Sequence, residues 1–335
     1  MPASKLSHED YTIGIVCALE MERVTVHATL DEEHGMVQRA AGDDNAYVFG
    51  RIGAHNVVVA CPAAGSDNKL PAATIARNML MSFPIKFGLM VGIGGGVWSP
   101  QTDVRLGDVV VSEPTRMHGG VVQRNLVNSQ FRVGTLKIPP WPLPDVVQSL
   151  KARNMLWDGE VGANLEAMFA KYPRLKDKFS HQGQENDVLF EADYLHVSGD
   201  TCAGCDWSRT VRNRPHRRDE GPRIHYGNIR SSTDEIRYGP ERDRIAREEG
   251  ILCFETEMAE LMDTFPCVVI RGVCDYADAH ANKRWQEYAA AVAAAYAKEL
   301  LLRMTSADVA RIRPAIEVTD ISGSVESRPG SLTLD

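Results

Sequence analysis

Cys253-Phe-Glu-Thr-Glu257, followed shortly by Val268-Val-Ile-Arg-Gly-Val-Cys-Asp-Tyr-Ala-Asp278, decides how this chain is read. Twice an apolar run of strand length ends in acidic residues. Two buried strands therefore each deliver carboxylates to one edge of a sheet, and in open α/β sheets ligands bind beyond the carboxyl ends of the strands. Glu255, Glu257, Asp275 and Asp278 are candidates for a single pocket. Alternation along a strand puts Glu255 and Glu257 on the same face.

Working outward, Tyr11 to Ala18 reads as a strand, and Leu19 to Leu30 carries helical periodicity. Tyr47 to Cys61 reads as two strands joined by a tight turn. A helix is expected over Ala72 to Met81, then a strand from Phe87 to Gly92 that ends in glycines. Val104 to Ser112 is the next strand, with Gly107-Asp108 as a bulge or turn. Ile138-Pro-Pro-Trp-Pro-Leu-Pro144 marks a break before a helix from about Asp145 to Asn154. The stretch 181–223 is polar and rich in Gly, Arg and Asp, an insertion rather than a core element. Ile224 to Ile229 resumes the sheet, Asp243 to Glu249 is helical, and Trp285 to Met304 is an alanine-rich closing helix. Residues 1–10 and 306–335 read as flexible ends around one domain over 11–305. Strands alternating with helices imply a mainly parallel or mixed sheet covered on both faces.

Composition narrows the class. With 335 residues and 44% hydrophobic side chains the chain can bury a large core, and its net charge of −8 lacks the basic footprint of a nucleic-acid binder. No apolar run reaches the length of a membrane span, and the first residues have no signal-like apolar stretch, so the cytoplasm is expected. Cys17, Cys61, Cys253, Cys267 and Cys274 sit in apolar runs, where free cysteine behaves as a small hydrophobe. Cys202-Ala-Gly-Cys205 stands apart as a lone C-x-x-C. Zinc would need two more ligands, and His196, His216 and His225 are within sequence reach. The expectation is no metal and no cofactor.

Five segments also carry a family resemblance: Thr12-Ile-Gly-Ile-Val-Cys-Ala-Leu-Glu-Met-Glu22, Leu89-Met-Val-Gly-Ile-Gly-Gly-Gly-Val97, Asp103-Val-Arg-Leu-Gly-Asp-Val-Val-Val-Ser112, Phe254-Glu-Thr-Glu257 and Arg271-Gly-Val-Cys-Asp275. In this order and spacing the chain resembles the purine nucleoside phosphorylase/nucleosidase superfamily, and within it the fungal phosphorylase-type domains of multidomain receptor-like proteins. The resemblance runs from about Tyr11 to about Met304. It implies a three-layer α/β fold with a central mixed, partly barrel-like sheet flanked by helices. It also implies cleavage of a glycosidic C–N bond: Asp275 donates a proton to the purine, Glu257 binds the ribose hydroxyls, and Glu22 activates water. Burial next to apolar neighbours would keep Asp275 protonated near neutral pH. A plain loop or N-cap carboxylate is the alternative for Asp275, an exposed first-turn acid for Glu22, and a salt bridge at the sheet edge for Glu255.

The nucleophile separates hydrolysis from phosphorolysis. A phosphate cradle needs backbone amides and an arginine. Gly92-Ile-Gly-Gly-Gly96 supplies the amides, but Met90 and Ile93 stand where bacterial phosphorylases of the superfamily carry arginine and serine, and the first loop offers Glu20 and Glu22. Two acids repel phosphate, so the expected reaction is hydrolysis of a purine nucleoside. Gly94 and Gly95 would line the substrate, Phe190 would cover the base, and Glu255, Thr256, His118, Ser231 and Ser232 complete the candidate binding set. Several of these depart from the family pattern: Thr256 replaces a methionine, Arg230-Ser-Ser232 replaces Ala-Ser-Gly, and His118 replaces tyrosine. Such changes keep three alternatives open. One is a phosphate-dependent phosphorylase. Another is a lyase or cyclase whose pocket is shaped by Arg230, Glu235, Thr256 and His118. The last is a catalytically silent sensing module, against which the lack of an appended repeat is counted. The family's assemblies imply a homodimer or larger homo-oligomer. Trp98, Trp141 and Trp207, in loop-like segments, supply interface candidates, with Trp98 expected near the interface because it directly follows the glycine loop.

Overall fold

The computed structural model describes residues 6–62, 72–115, 119–123, 139–157, 159–199, 201–232, 234–256 and 265–315. The strands are β1 (Ile13–Val16), β2 (Glu32–His34), β3 (Ala46–Ile52), β4 (His55–Cys61), β5 (Phe87–Gly96), β6 (Val109–Ser112), β7 (Val121–Gln123), β8 (Ile224–Ser231), β9 (Ile251–Glu255) and β10 (Cys267–Asp275). The α-helices are α1 (Glu20–Thr29), α2 (Ala72–Ser82), α3 (Leu143–Leu156), α4 (Val161–Lys171), α5 (Pro173–Phe179), α6 (Gly239–Glu249), α7 (Gln286–Leu302) and α8 (Ser306–Arg311).

The strands form one mixed sheet in the order β10-β6-β8-β9-β5-β1-β4-β3-β2, and a further β10–β5 pairing closes five of them into a barrel flanked by helices. Strand β5 is the pivot. Its first half runs parallel to both β1 and β10, and the last β1 partner, Val16, lies opposite Met90. Five residues on, β5 pairs with β9 instead, Gly95 opposite Phe254. The sheet splits between those points, and a crevice opens where β1 leaves and β9 has not yet joined.

Burial explains why the strands read as continuous apolar runs. Every residue of β1, parallel to both its neighbours, is buried, as is every residue of β6, because helices or the barrel interior cover both faces. Helix α7 is buried on nearly all sides by the sheet, α1 and α4, and its run of alanines lets the layers approach closely.

Two expectations change. The glycine run does not end β5 but belongs to it, because β9 and β10 continue the hydrogen bonding through Gly96. The segment expected to begin the flexible C-terminal tail starts with α8, whose Val309 and following Ile312 are 6% and 7% exposed. Lys86 Nζ donates to the Val309 carbonyl at 2.9 Å, and Ala315 N donates to Ile85 O at 2.7 Å, so this segment is fastened beside β5. At the other end His8–Asp10 form a 3₁₀ turn held by Ser7 N donating to Asp10 Oδ2 at 2.7 Å. Replacing Ile312 by Ala should cost about 2–4 kcal/mol in urea unfolding. A loss under about 0.5 kcal/mol, as for a surface position, would mean α8 is not part of the core.

Candidate active site

The crevice at the end of β1 is filled by a carboxylate. Glu22, in the first turn of α1, is fully buried. Its Oε2 accepts from the N–H groups of Ala18 and Leu19, each at 2.9 Å, so it caps its own helix where the helix dipole favours negative charge. Its Oε1 accepts from Ile93 N at 2.9 Å. Ile93 lies beyond the last residue of β5 that β1 can pair with, so the side chain satisfies a backbone donor that the splitting sheet leaves over. Burial pushes the Glu22 carboxyl above its ordinary range, while Arg271 and the three backbone donors pull the other way.

Arg271 is the residue that the sequence reading passed over. It is fully buried in the middle of β10, and its Nη2 lies 2.6 Å from Glu255 Oε2. A side-chain methyl placed on Gly92, its β5 partner, would sit 2.0 Å from Arg271 Nη1 and 2.6 Å from Glu22 Oε1. Glycine at 92 therefore leaves the room in which an arginine and a glutamate meet. The result is a buried row of alternating charge, Glu22, Arg271, Glu255, across the inside of the barrel. A guanidinium inside an otherwise apolar strand run was the available signal, because arginine is almost never fully buried unless paired.

Asp275 stands at the end of β10 opposite Gly95, just past a register shift. Its Oδ1 accepts from Ala277 N at 2.8 Å, and the Cys274 thiol donates to Oδ2 at 3.2 Å. Burial raises its pKa. The Ala277 and Cys274 donors oppose this, and the charges of Asp278 and Glu235 add to it. Ala277 follows with a φ of 49°, a backbone conformation uncommon outside glycine. A methyl on Gly95 would lie 2.7 Å from Asp275 Oδ1, so this glycine makes room for the acid itself. The space beside Gly94 is likewise taken by Cys253 Sγ and the Phe254 carbonyl. On the side where a side chain would stand, both glycines make room for protein groups.

The remaining candidates are spread around this centre. Ser231 is buried and pairs with Glu255 across β8 and β9, and Ser232 N donates to Glu255 O at 3.1 Å. Thr256 is exposed at the end of β9. Phe190 is buried, lies on the wall of a cavity of about 520 Å³ that Asp275 also lines, and stacks on His280 with centroids 4.0 Å apart. Glu257 and His118 lie outside the described residues. Arg230 is held by Glu249 of α6 at 3.0 Å, and Glu235 pairs with Arg237 at the surface, so neither supports a pocket reshaped around them. Trp98 is half-buried and donates to Asp103 Oδ1 at 2.9 Å, while Trp141 and Trp207 are about half exposed.

A family model described as the phosphorylase superfamily matches residues 12–306. The chain belongs to the phosphorylase superfamily. Its fold is that of enzymes acting on nucleosides. A futalosine hydrolase of Helicobacter pylori strain 26695 superposes with a TM-score of 0.54 at 14% identity, over 88% of this chain and 99% of that one. The 5'-methylthioadenosine/S-adenosylhomocysteine nucleosidase of Neisseria meningitidis, in complex with methylthio-immucillin-A, gives 0.53 at 15% identity over 88% and 99%. In sequence, a nucleotide-binding leucine-rich repeat (NLR)-like protein of Hyaloscypha variabilis (strain UAMH 11265 / GT02V1 / F) is 42% identical over 303 residues. Those residues are 88% of this chain but 30% of that protein, so the chain spans under a third of its relative's length. No helix among the described residues is long and apolar enough to cross a membrane.

Removing the centre of the charge row leaves two buried glutamates without their cation. Arg271→Met should therefore lower stability by about 3–5 kcal/mol in chemical denaturation, far more than an exposed arginine would. A change under about 1 kcal/mol would show that the row carries little of the fold.

Proposed function

We propose that the chain is a purine nucleosidase, hydrolysing the N-glycosidic bond with Asp275 as general acid, Glu22 as the base that activates water, and Glu257 as the ligand of the ribose hydroxyls. The observation that carries this reading is a buried carboxyl and a half-buried one, both raised by desolvation, set along the second half of β5: Glu22 bonded at Ile93 and Asp275 beside Gly95. Bond breaking leaves negative charge on the purine and positive charge on the sugar. A carboxylic acid at the base and carboxylates near the sugar stabilise both charges as they develop.

Water is favoured over phosphate by the electrostatics. Among the described residues, the buried arginines around the sheet edge are occupied: Arg271 by Glu255, Arg230 by Glu249, Arg242 by Asp278 and Arg217 by Asp108. An anion entering beside Glu22 and Glu255 meets like charge. The solved structures of this fold include nucleosidases and a futalosine hydrolase, which agrees with a hydrolytic reading.

A second reading rests on the NLR-like relative: the chain acts as the nucleoside-handling domain of a longer receptor-like protein and reports binding rather than turnover. A homodimer assembled near Trp98 is proposed with either reading, and a monomeric mass in light scattering with full activity would refute it.

Purified chain incubated with adenosine, inosine, guanosine and methylthioadenosine should release free sugar without phosphate. Strict phosphate dependence, with a sugar 1-phosphate as product, would replace hydrolysis by phosphorolysis, and tight binding without turnover would favour the sensing reading. The pH profile tests the two roles. Glu22 works ionised, so kcat/KM should rise as pH passes through its pKa, which burial sets above the ordinary glutamate range. Asp275 works protonated, so activity should fall as pH rises through its own raised pKa. Asp275→Asn should lower kcat about 10²–10⁴-fold and abolish the alkaline limb, while Glu22→Gln should abolish the acid limb. A bell of unchanged shape in Asp275→Asn would exclude Asp275 as the acid.

A further inference from the structure

The C-x-x-C of the insertion does not stand alone in three dimensions. His196, Cys202, Cys205 and His280 each offer a ligand atom, and these four atoms lie within 4.8 Å of one another. His216 and His225, in sequence reach of the cysteines, are not members, and His225 is bonded to Asp108 instead. The fourth member, His280, was not among the histidines considered with the C-x-x-C, because it arrives from the loop after β10, 75 residues beyond Cys205.

We infer that His196, Cys202, Cys205 and His280 bind one zinc ion. Tetrahedral zinc, with Zn–S of about 2.3 Å and Zn–N of about 2.0–2.1 Å, sets sulfur and nitrogen ligands about 3.5 Å apart. The Cys202 and Cys205 sulfurs lie 3.6 and 3.8 Å from His280 Nδ1. The other ring nitrogen, Nε2, lies 2.9 Å from the carbonyl oxygen of Tyr194. A carbonyl only accepts, so Nε2 carries the proton and Nδ1 turns its lone pair toward the two sulfurs, the arrangement that orients a metal-bound histidine. Phe190 stacks on one side of the His280 ring at 4.0 Å, and Tyr194 lies 5.4 Å from it, nearly parallel. The ring is thus fixed in place before any ion enters.

Charge and softness select the ion. Two thiolates and two neutral imidazoles exactly cancel Zn²⁺ once both thiol protons pass to solvent, so a neutral unit is buried. Thiolates select zinc over magnesium or calcium. Cys205 and His280 are buried, while His196 and Cys202 are partly exposed, which leaves a route for loading.

The position gives the ion a task. Among its described residues, the insertion over 181–223 has 3₁₀ turns and one isolated bridge, Phe190 to Thr210, in place of a sheet of its own. Arginine pairs such as Arg217–Asp108 and Arg214–Asp187 hold part of it to the barrel and within itself. A zinc ion would tie its middle to the loop that follows Asp275, fixing a wall of the cavity lined by Asp275, Phe190, Cys202 and His280.

The test is metal content, which does not depend on what the chain catalyses. Full-length protein purified without chelator should contain one zinc per chain by mass spectrometry of the elements. After chelation, Co²⁺ should restore the thiolate-to-cobalt charge-transfer bands and strong visible bands of a tetrahedral site. Cys202→Ser should lose the zinc, and the partly exposed His196→Gln should weaken retention and alter the cobalt spectrum with circular dichroism unchanged. Metal-free protein without cobalt bands would overturn the inference. So would protein lighter by two hydrogens from a Cys202–Cys205 disulfide, or zinc content indifferent to both substitutions.

Discussion

The approach of Arg271 to Glu22 across Gly92 is the constraint on which the rest of the site depends. A side chain at position 92 would occupy the space between the two groups, whose charges act on one another there. Charge buried inside a barrel persists only when it is paired and hydrogen-bonded. Here one cation serves two acids, and backbone donors serve Glu22 from two directions. The barrel is closed around polar groups at the point where its strands change partners. An apolar filling would be simpler for stability alone, so the retained charges point to chemistry.

The fold was legible because its strands obey elementary rules. The buried parallel strand Ile13–Val16 reads as an unbroken apolar run and Cys267–Asp275 as one interrupted by Arg271, and helices between the strands left few topologies to consider. Glycine-rich β5 was read short because glycine weakens an isolated strand, whereas here neighbouring side chains fill the space over it. Helix α4 went unread although Val161, Leu165 and Met168 form a stripe at helical spacing, buried in the structure. The tail was judged polar as a whole, and the two apolar residues that dock α8 were outvoted by the composition around them.

The site was legible to the degree that its residues lie at strand ends. Glu22, Glu255 and Asp275 follow apolar runs, and their positions at one edge come from topology alone. What a linear reading loses is a partner brought from elsewhere. Arg271 matters because β10 lies beside β5, and His280 matters because the loop after β10 reaches the insertion. Neither adjacency is encoded by spacing. Asp275 and His280, which meets the C-x-x-C, both lie on the segment of chain that leaves β10.

In the proposed mechanism, the division of labour between the two raised carboxyls rests on what surrounds each. Burial acts on both in the same direction. Glu22 is opposed by a guanidinium and three backbone N–H groups, all of which stabilise its anion. Asp275 has one backbone donor and a thiol, and it feels the charges of Asp278 and Glu235, which disfavour its ionisation. Both carboxyls are raised, but only Glu22 has a guanidinium and three backbone donors to stabilise its anion, and unequal environments of this kind are what separate a base from an acid at one pH. Asp278 acts on Asp275 through its charge, and Arg242 both pairs with Asp278 and bonds the Tyr276 carbonyl. The loop that holds the acid is thereby set from α6 as well as from the insertion, whose Tyr194 carbonyl accepts from His280.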